Sequence, residues 1–193
     1  NLYKAIQEES PEFFQLINEI NYDWIEITNI LQKKSNLSIF STAEEIIDTI
    51  PLKLVKQFNL YNTFKIDLQK SLKRKQNFIT KQQAQNIIIS DSNQQELLET
   101  ATKTSYYNLV RKLYNSLNPL NPAFFFFIRE FCYYSMFRFN KNNEFNVPYG
   151  GMSYNKKDLT EKINYINSPA LISRLNNTTI SNLDFQDFFK TID

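Results

Sequence analysis

Apolar residues recur at intervals of three and four along the first part of the chain, the spacing of one face of an α-helix. The clearest stripe consists of Phe13, Ile17, Ile20, Trp24, Ile27 and Leu31. Ser10 is a favoured N-cap and Pro11 suits the first helical position, so a long helix is predicted to begin here. A capping box at Thr42-Ala43-Glu44-Glu45 predicts a second, short helix, which Pro51 ends.

Further helices are indicated in the second half of the chain. Ser92 is predicted to cap one helix, and the apolar positions from 107 to 117 belong to that helix or to its successor. Residues 118–122 carry two prolines and predict a turn. The nearly all-apolar stretch 123–136 predicts a buried helix, and 158–166 another.

The pattern then changes around residues 137–151. Before this point the period is helical, whereas Phe137, Phe139, Phe145 and Val147 alternate with polar neighbours on either side of an asparagine-rich stretch. Alternation of this kind predicts a β-hairpin, and asparagine tolerates the positive φ of its turn. A short helix after Ser168-Pro169 and a strand at 178–180 complete the prediction. The predicted fold class is therefore mainly α with a β-hairpin.

Composition excludes several classes of protein. The 193 residues suit one domain or a large fragment, and 42% hydrophobic content allows a packed core. The chain has no histidine, which excludes a Ser-His-Asp triad. Its two glycines are adjacent, at Gly150 and Gly151, so no G-x-G-x-x-G loop or P-loop is present. The longest apolar run, 123–128, is too short to span a bilayer, and no membrane association and no metal are expected.

Charge is unevenly distributed, although the net charge is only +2. Residues 64–81 contain six cations and one acid. Such a segment could contact phosphate, and it could equally be a solvated helix face.

The stretch around the two glycines resembles the Dam-like family of DNA adenine-N6 methyltransferases. The family pattern R-x-N-x-x-G-x-F-N-V-P-x-G corresponds to Arg138-Phe139-Asn140-Lys141-Asn142-Asn143-Glu144-Phe145-Asn146-Val147-Pro148-Tyr149-Gly150. Upstream, residues 106–115 (YYNLVRKLYN) resemble the family element Y-Y-x-L-R-x-x-F-N. Downstream, Asn182-Leu183-Asp184-Phe185 resembles its N-x-D-F element, and Leu2-Tyr3-Lys4 resembles the segment after its first cofactor motif.

The resemblance implies that the hairpin enters a groove of double-stranded DNA and that the target adenine is flipped out of the stack. Arg138 can donate two hydrogen bonds to a guanine edge or hold a phosphate, and Asn140 and Asn146 can pair with a base or the backbone. Pro148 and Tyr149 offer a stiff apolar surface that could enter the space left by a base. Phosphate contacts are expected from Lys141, Lys156 and Lys157. The alternative is that both asparagines only build the turn and that Tyr149 belongs to the core.

The chain departs from the family pattern at three positions in this region. Asn143 stands where the family has its turn glycine, and Tyr134-Ser135 stands where the preceding helix has an Asn-Gly pair.

Two family elements are missing from the sequence. The family binds S-adenosylmethionine with an F-x-G-x-G loop and holds the adenine with D-P-P-Y, and this chain contains neither. Asp184 and Phe185 are nevertheless expected at a strand end beside the cofactor's adenine, with a helix cap and core packing as the alternative.

The sequence therefore predicts the target-recognition region of a site-specific, base-flipping α/β methyltransferase, with flanking pieces of the catalytic domain and no activity on its own. The alternatives are a non-catalytic DNA-binding module, or half of a split enzyme completed by a second chain. A further alternative is a helical scaffold with no nucleic-acid role, against which the predicted hairpin argues. The expected segments are a helical part at 1–45, a recognition region at 46–136, the hairpin at 137–151 and a return to the catalytic domain at 152–193. A cytoplasmic, nucleoid-associated location follows from the expected function.

Overall fold

The structure of the protein is a computed structural model that describes residues 2–33, 36–117 and 120–191. These residues form ten α-helices. In chain order the helices are α1 (Leu2–Gln7), α2 (Pro11–Lys33), α3 (Ala43–Thr49), α4 (Lys53–Gln57), α5 (Tyr61–Gln83), α6 (Asp91–Ser116), α7 (Pro122–Phe131), α8 (Thr160–Ile166), α9 (Pro169–Asn176) and α10 (Phe185–Phe189).

The helix starts encoded by local signals are confirmed. The hydroxyl of Ser10 accepts from the backbone N–H of Phe13, and α2 begins at Pro11. Thr42 and Glu45 form the complete capping box of α3. Ser168 caps α9, whose first residue is a proline. Each of these signals acts within one helical turn, so no distant contact is needed to set it.

Two predicted helix limits are wrong. α6 begins at Asp91 because Ser90, not Ser92, accepts the capping hydrogen bond from Asn93 N–H. This single helix also carries the apolar positions from 107 onward. α7 ends at Phe131, well before residue 136, because the backbone becomes extended at Cys132 and then left-handed at Tyr134 and its neighbour. The predicted turn at 118–122 lies partly outside the described residues, since 118 and 119 are not described.

The core is built around α6, which packs against α2, α5 and α7. Its centre is the indole of Trp24 on α2, whose ring lies 4.4 Å from that of Phe131 and 5.2 Å from that of Phe127. The ring of Tyr106 from α6 lies 6.2 Å from the same indole. Such tilted and edge-on aromatic pairs stabilise a core beyond the area that they bury.

A buried carboxylate ties three of these helices together. Asp23 on α2 is fully buried and accepts from the backbone N–H groups of Lys53 (2.7 Å) and Leu54 (2.9 Å) at the start of α4. The hydroxyl of Tyr106 on α6 donates to the same carboxylate at 3.0 Å. Burial outweighs these hydrogen bonds and raises the pKa of Asp23 to about 6.

The predicted β-hairpin at 137–151 is wrong, as is the strand at 178–180. The described residues contain no β-strand or sheet, and the segment 137–151 is a loop that folds back through two isolated antiparallel bridges, Cys132 with Tyr149 and Phe139 with Phe145. The predicted α/β architecture is corrected with it, because the described chain is helical with loops.

Side chains take over the bonds that a regular ladder would use in this loop. Asn140 N–H donates to Glu144 O at 2.9 Å, but Glu144 N–H donates to the side-chain Oδ1 of Asn140 at 3.0 Å. On the next pair, Asn146 N–H donates to Arg138 O, whereas the oxygen of Asn146 accepts from the guanidinium of Arg138 at 3.2 Å. Local side-chain bonds of this kind compete with backbone pairing, so the strands do not propagate.

Candidate nucleic-acid interface

Three side chains of α6 form hydrogen bonds with the backbone of the 137–151 loop. Tyr107, Arg111 and Asn115 recur every four residues and therefore lie on one face of the helix. The hydroxyl of Tyr107 and the guanidinium of Arg111 both donate to Val147 O, at 2.9 and 2.8 Å. Asn115 donates to Phe145 O at 3.0 Å and accepts from Phe145 N–H at 2.9 Å. Two of the sequence elements that carry the resemblance, residues 106–115 and the loop, are thus in direct contact.

Alternate residues of the returning half of the loop point into the core. Phe145 and Val147 are each 1% exposed, and Tyr149 is 6% exposed. The ring of Tyr149 lies 5.5 Å from that of Trp24, and its hydroxyl donates to Asn155 Oδ1 at 3.0 Å. Burial raises the pKa of Tyr149, which keeps the phenol protonated as a donor. The expected contact of Tyr149 with DNA is therefore corrected: this side chain is a core residue.

Of the intervening residues, Asn146 is half-buried and Pro148 is exposed, and Arg138 on the first half of the loop is exposed as well. Nε of Arg138 donates to Asn146 Oδ1 at 2.8 Å, and Nη2 donates to the carbonyl of the same residue at 3.2 Å. These two bonds hold the guanidinium across the loop while the side chain stays on the surface. A guanidinium has five N–H donors, so three remain for a ligand.

The tip of the loop is a turn organised by one asparagine. Oδ1 of Asn140 accepts from Asn142 N–H at 2.9 Å and from Glu144 N–H, and its Nδ2 donates to the carboxylate of Glu144 at 2.7 Å. Asn140 therefore builds the turn, as the alternative for this residue supposed. Lys141 at the tip is exposed.

The remaining predicted DNA contacts fall into two groups. Pro148 and Lys156 are exposed. Lys157 is half-buried: its Nζ donates to Glu130 O at 2.6 Å and lies 3.1 Å from the Glu130 carboxylate. Burial alone would raise the pKa of Glu130, but hydrogen bonds from Lys162 and Lys157 hold that pKa below its usual value. Lys157 therefore joins the segment after the loop to α7, and Lys156 is the better placed of the two lysines for phosphate.

Three residues, two just before the loop and one at its tip, have left-handed backbone. Tyr134, Ser135 and Asn143 have φ of 51°, 50° and 61°. For a residue as bulky as tyrosine this geometry costs free energy, whereas asparagine and glycine adopt it readily. The ring of Tyr134 is 75% exposed, so core packing does not compensate for the strain.

The two positions at the end of the loop require glycine for different reasons. A Cβ on Gly150 would lie 2.7 Å from Cγ of Tyr154, so the chain passes too close to that ring for any side chain. Gly151 has open space around it but a φ of 84°, which favours glycine.

A buried charged network beneath the loop was not anticipated from the sequence. Nζ of Lys103 lies 3.1 Å from the carboxylate of Glu99 one turn earlier on α6, and it also donates to Asn155 O. Nδ2 of Asn155 donates to Thr100 Oγ1 at 2.8 Å. Burial lowers the pKa of Lys103, which the Glu99 carboxylate opposes. The only sequence signal for this network was the spacing of four between Glu99 and Lys103. That spacing does not reveal burial, because exposed helix ion pairs have the same spacing.

The predicted cofactor residues are not at a strand end, because the described residues contain no strand. Asp184 is the N-cap of α10 and accepts from Gln186 N–H at 2.9 Å, which is the helix-cap alternative. Phe185 is 66% exposed and so does not pack in the core.

Two further findings concern ligands and membranes. Across the described ranges, no three His, Cys, Asp or Glu residues are grouped closely enough to hold a metal ion. Within the same ranges no helix has the length and apolar character needed to cross a membrane.

Comparison of the chain with protein-family models, curated proteins and solved structures gives no significant match.

Proposed function

We propose that this chain is the target-recognition part of a DNA adenine-N6 methyltransferase and that it binds double-stranded DNA through the exposed residues of the 137–151 loop. The loop acts as an irregular, side-chain-braced turn. Arg138 is its base-reading residue, and Lys141 and Lys156 contact phosphate.

The observation that carries the proposal is the contact between the two resembling elements. Tyr107, Arg111 and Asn115 bind the backbone of Phe145 and Val147. These three polar side chains pair backbone groups of two buried residues, and they do so in the segment that carries the family-like pattern. Their effect is to fix the returning half of the loop, in which Asn146 is bonded to the backbone and to the guanidinium of Arg138. A fixed backbone is what recognition of a base edge requires.

The left-handed residues support the same proposal. The Dam-like pattern has an Asn-Gly pair and a glycine at the positions of Tyr134, Ser135 and Asn143, and all three have positive φ here. The family pattern therefore agrees with the backbone of this chain even where the side chains differ. Composition alone would not produce that agreement, because this geometry is uncommon for residues other than glycine.

The chemistry of the exposed residues suits a duplex. Arg138 is preoriented by Asn146 and retains free donors for guanine O6 and N7. Sequence reading by such a contact needs nearby cations that hold the backbone and set the register. Lys141 and Lys156 are exposed on the loop and on the segment that follows it.

Methyl transfer requires groups that these residues do not supply. S-adenosylmethionine and the D-P-P-Y element would come from elsewhere in the protein or from a second chain. A contact of Asp184 with the cofactor's adenine would use Oδ2, because Oδ1 already accepts from Gln186 N–H in the cap of α10.

The test begins with selection of a preferred duplex from a randomised library by the purified chain. Binding of that duplex and of a scrambled one is then titrated at several salt concentrations for wild type, Arg138→Ala and Lys156→Ala. Arg138→Ala should cost about 1–3 kcal/mol on the selected duplex and relax the preference at one base pair. Lys156→Ala should weaken binding to both duplexes alike and reduce the salt slope by about one.

Two results would contradict the proposal. Equal weakening of both duplexes by Arg138→Ala would make this residue a phosphate clamp instead of a base reader. Failure of the wild-type chain to bind any duplex at low salt would remove the proposed DNA-binding role altogether.

A further inference from the structure

The second half of α5 concentrates positive charge on a protein of nearly balanced composition. Residues 68–90 contain five cations and no acid, although the whole chain has a net charge of only +2. Four of these cations are exposed, and besides Lys73 they are Lys70, Arg74 and Lys81, which recur at intervals of four and seven. At 3.6 residues per turn their directions lie within about 40° of one another, so they form a single stripe along the helix.

This stripe, defined as Lys70, Arg74 and Lys81, is not neutralised by acids. Among the described residues, the cations of α5 that form ion pairs are limited to Lys65, which pairs with Glu44. A solvated helix face ordinarily carries charges of both signs that pair at spacings of three and four. The stripe instead carries unbalanced positive charge, which costs self-repulsion unless an anionic partner neutralises it.

The opposite face of α5 is already occupied. Phe64, Leu68, Leu72 and Ile79 are buried, and the helix packs along α6. The exposed side is polar apart from Ile66 (50% exposed) and Phe78 (46% exposed), which point about 120° apart and so form no common apolar face. Membrane binding of a basic helix needs a free apolar face that can enter the lipid, and α5 lacks one along this length.

One ion pair connects the surface of the stripe with the surface of the 137–151 loop. Asp67 lies one turn before Lys70, and its carboxylate is 2.5 Å from Nζ of Lys112 on α6. Lys112 in turn lines a groove of about 330 Å³ with Asn140, Glu144 and Asn146 of the loop. Lys112 and Asp67 therefore lie between the loop and the first residue of the stripe, Lys70.

From this arrangement we infer that the stripe on α5 binds the phosphate backbone of the DNA that flanks the site read by the loop. The inference rests on the proposed function, to which it adds a second, sequence-independent contact surface. Lys70 and Lys81 are about 16 Å apart along the helix axis, because each residue rises 1.5 Å. This length corresponds to about five base-pair steps of one strand, so the three cations can meet phosphates outside the reach of the loop.

The experiment compares wild type with the triple variant Lys70→Gln, Arg74→Gln, Lys81→Gln on a 30-base-pair duplex that carries the selected site. A matched control removes the same charge elsewhere, with Lys33→Gln, Lys56→Gln and Lys190→Gln, all of which are exposed. A charge-preserving variant, Lys70→Arg with Lys81→Arg, separates charge from side-chain shape. Thermal unfolding of each variant checks that the fold is intact.

We expect the stripe variant to lose about 2–3 units of the slope of log affinity against log salt concentration. Between 50 and 200 mM salt, wild-type affinity should then fall about 40-fold more than that of the variant. The preference for the selected site over a scrambled one should be unchanged, and both the control and the charge-preserving variants should keep the wild-type slope.

Several results would overturn the inference. One is a stripe variant with the wild-type slope, and another is an equal loss in the matched control. A third is binding of wild type, but not of the stripe variant, to vesicles containing phosphatidylserine while DNA binding stays the same. If wild type binds the selected duplex selectively and the stripe variant keeps the wild-type salt slope, this inference fails and the proposed function stands. If wild type binds no duplex, both fail.

Discussion

Replacement of Asn115 by alanine removes the one side chain that bonds to both backbone groups of Phe145. The donor bond is 3.0 Å long and the acceptor bond 2.9 Å, and Phe145 is almost fully buried. Each bond contributes about 1 kcal/mol net, and backbone groups left unpaired add a desolvation cost. Because Asn115 itself is only half-buried, water can reach part of the site. We expect Asn115→Ala to lower the free energy of unfolding by about 2–3 kcal/mol.

Urea denaturation measures that change, and amide hydrogen exchange at Phe145 localises it. In wild type the Phe145 N–H should exchange slowly, and in the variant it should exchange much faster than amides in the centre of α6. Asn77→Ala is the matched control, because Asn77 is exposed on α5 and lies in mid-helix. The control should change stability by less than about 0.5 kcal/mol.

A loss below about 0.5 kcal/mol for Asn115→Ala, or an unchanged exchange rate at Phe145, would refute the reasoning. It would mean that α6 does not hold the loop backbone. The argument for a fixed Arg138 would then fail as well. The same variant should weaken the preference for a selected duplex, because the loop would no longer present one conformation.

Three other predictions follow from separate parts of the chain. Gly150→Ala should destabilise the fold by about 1–3 kcal/mol through its clash with the Tyr154 ring, whereas Gly151→Ala should cost only the strain of a positive φ, about 1 kcal/mol; equal effects in urea denaturation would contradict this difference. Because the pKa of Asp23 is raised to about 6, the folded state binds an extra proton between about pH 4 and 6, so the stabilisation from this carboxyl falls as pH rises through that range. The stability of wild type relative to Asp23→Asn should therefore fall by about 2–3 kcal/mol between pH 4 and 7, and a constant difference would show that burial does not shift this carboxyl. The chain of 193 residues, which has neither D-P-P-Y nor a glycine-rich cofactor loop, should transfer no labelled methyl group from S-adenosylmethionine to duplex DNA, and incorporation above background would refute this.

The local structure of this protein was determined largely by its sequence. The caps at Ser10, Thr42 and Ser168 and the apolar stripe of α2 predicted helices that the structure contains. These signals succeed because both partners of each interaction lie within one turn of helix. The possible left-handed geometry of Asn143 was also foreseeable, since asparagine tolerates it.

The tertiary structure decided which residues of the loop face the core and which face solvent. Period-2 alternation at 137–147 was present, but side chains of Arg138 and Asn140 took the bonds of the expected ladder. Tyr149 is buried because its ring packs against that of Trp24, which is far away in the chain.

The sequence pattern also could not predict the α6 side chains that support the loop. Asn115 meets Phe145 across 30 positions, and Lys103 meets Asn155 across 52. A polar residue in a helical pattern is ordinarily assigned to the solvated face, because periodicity records spacing along one element only. What lies opposite that face is set by the packing of distant segments, and this packing turned Tyr107, Arg111 and Asn115 into the support of a surface loop.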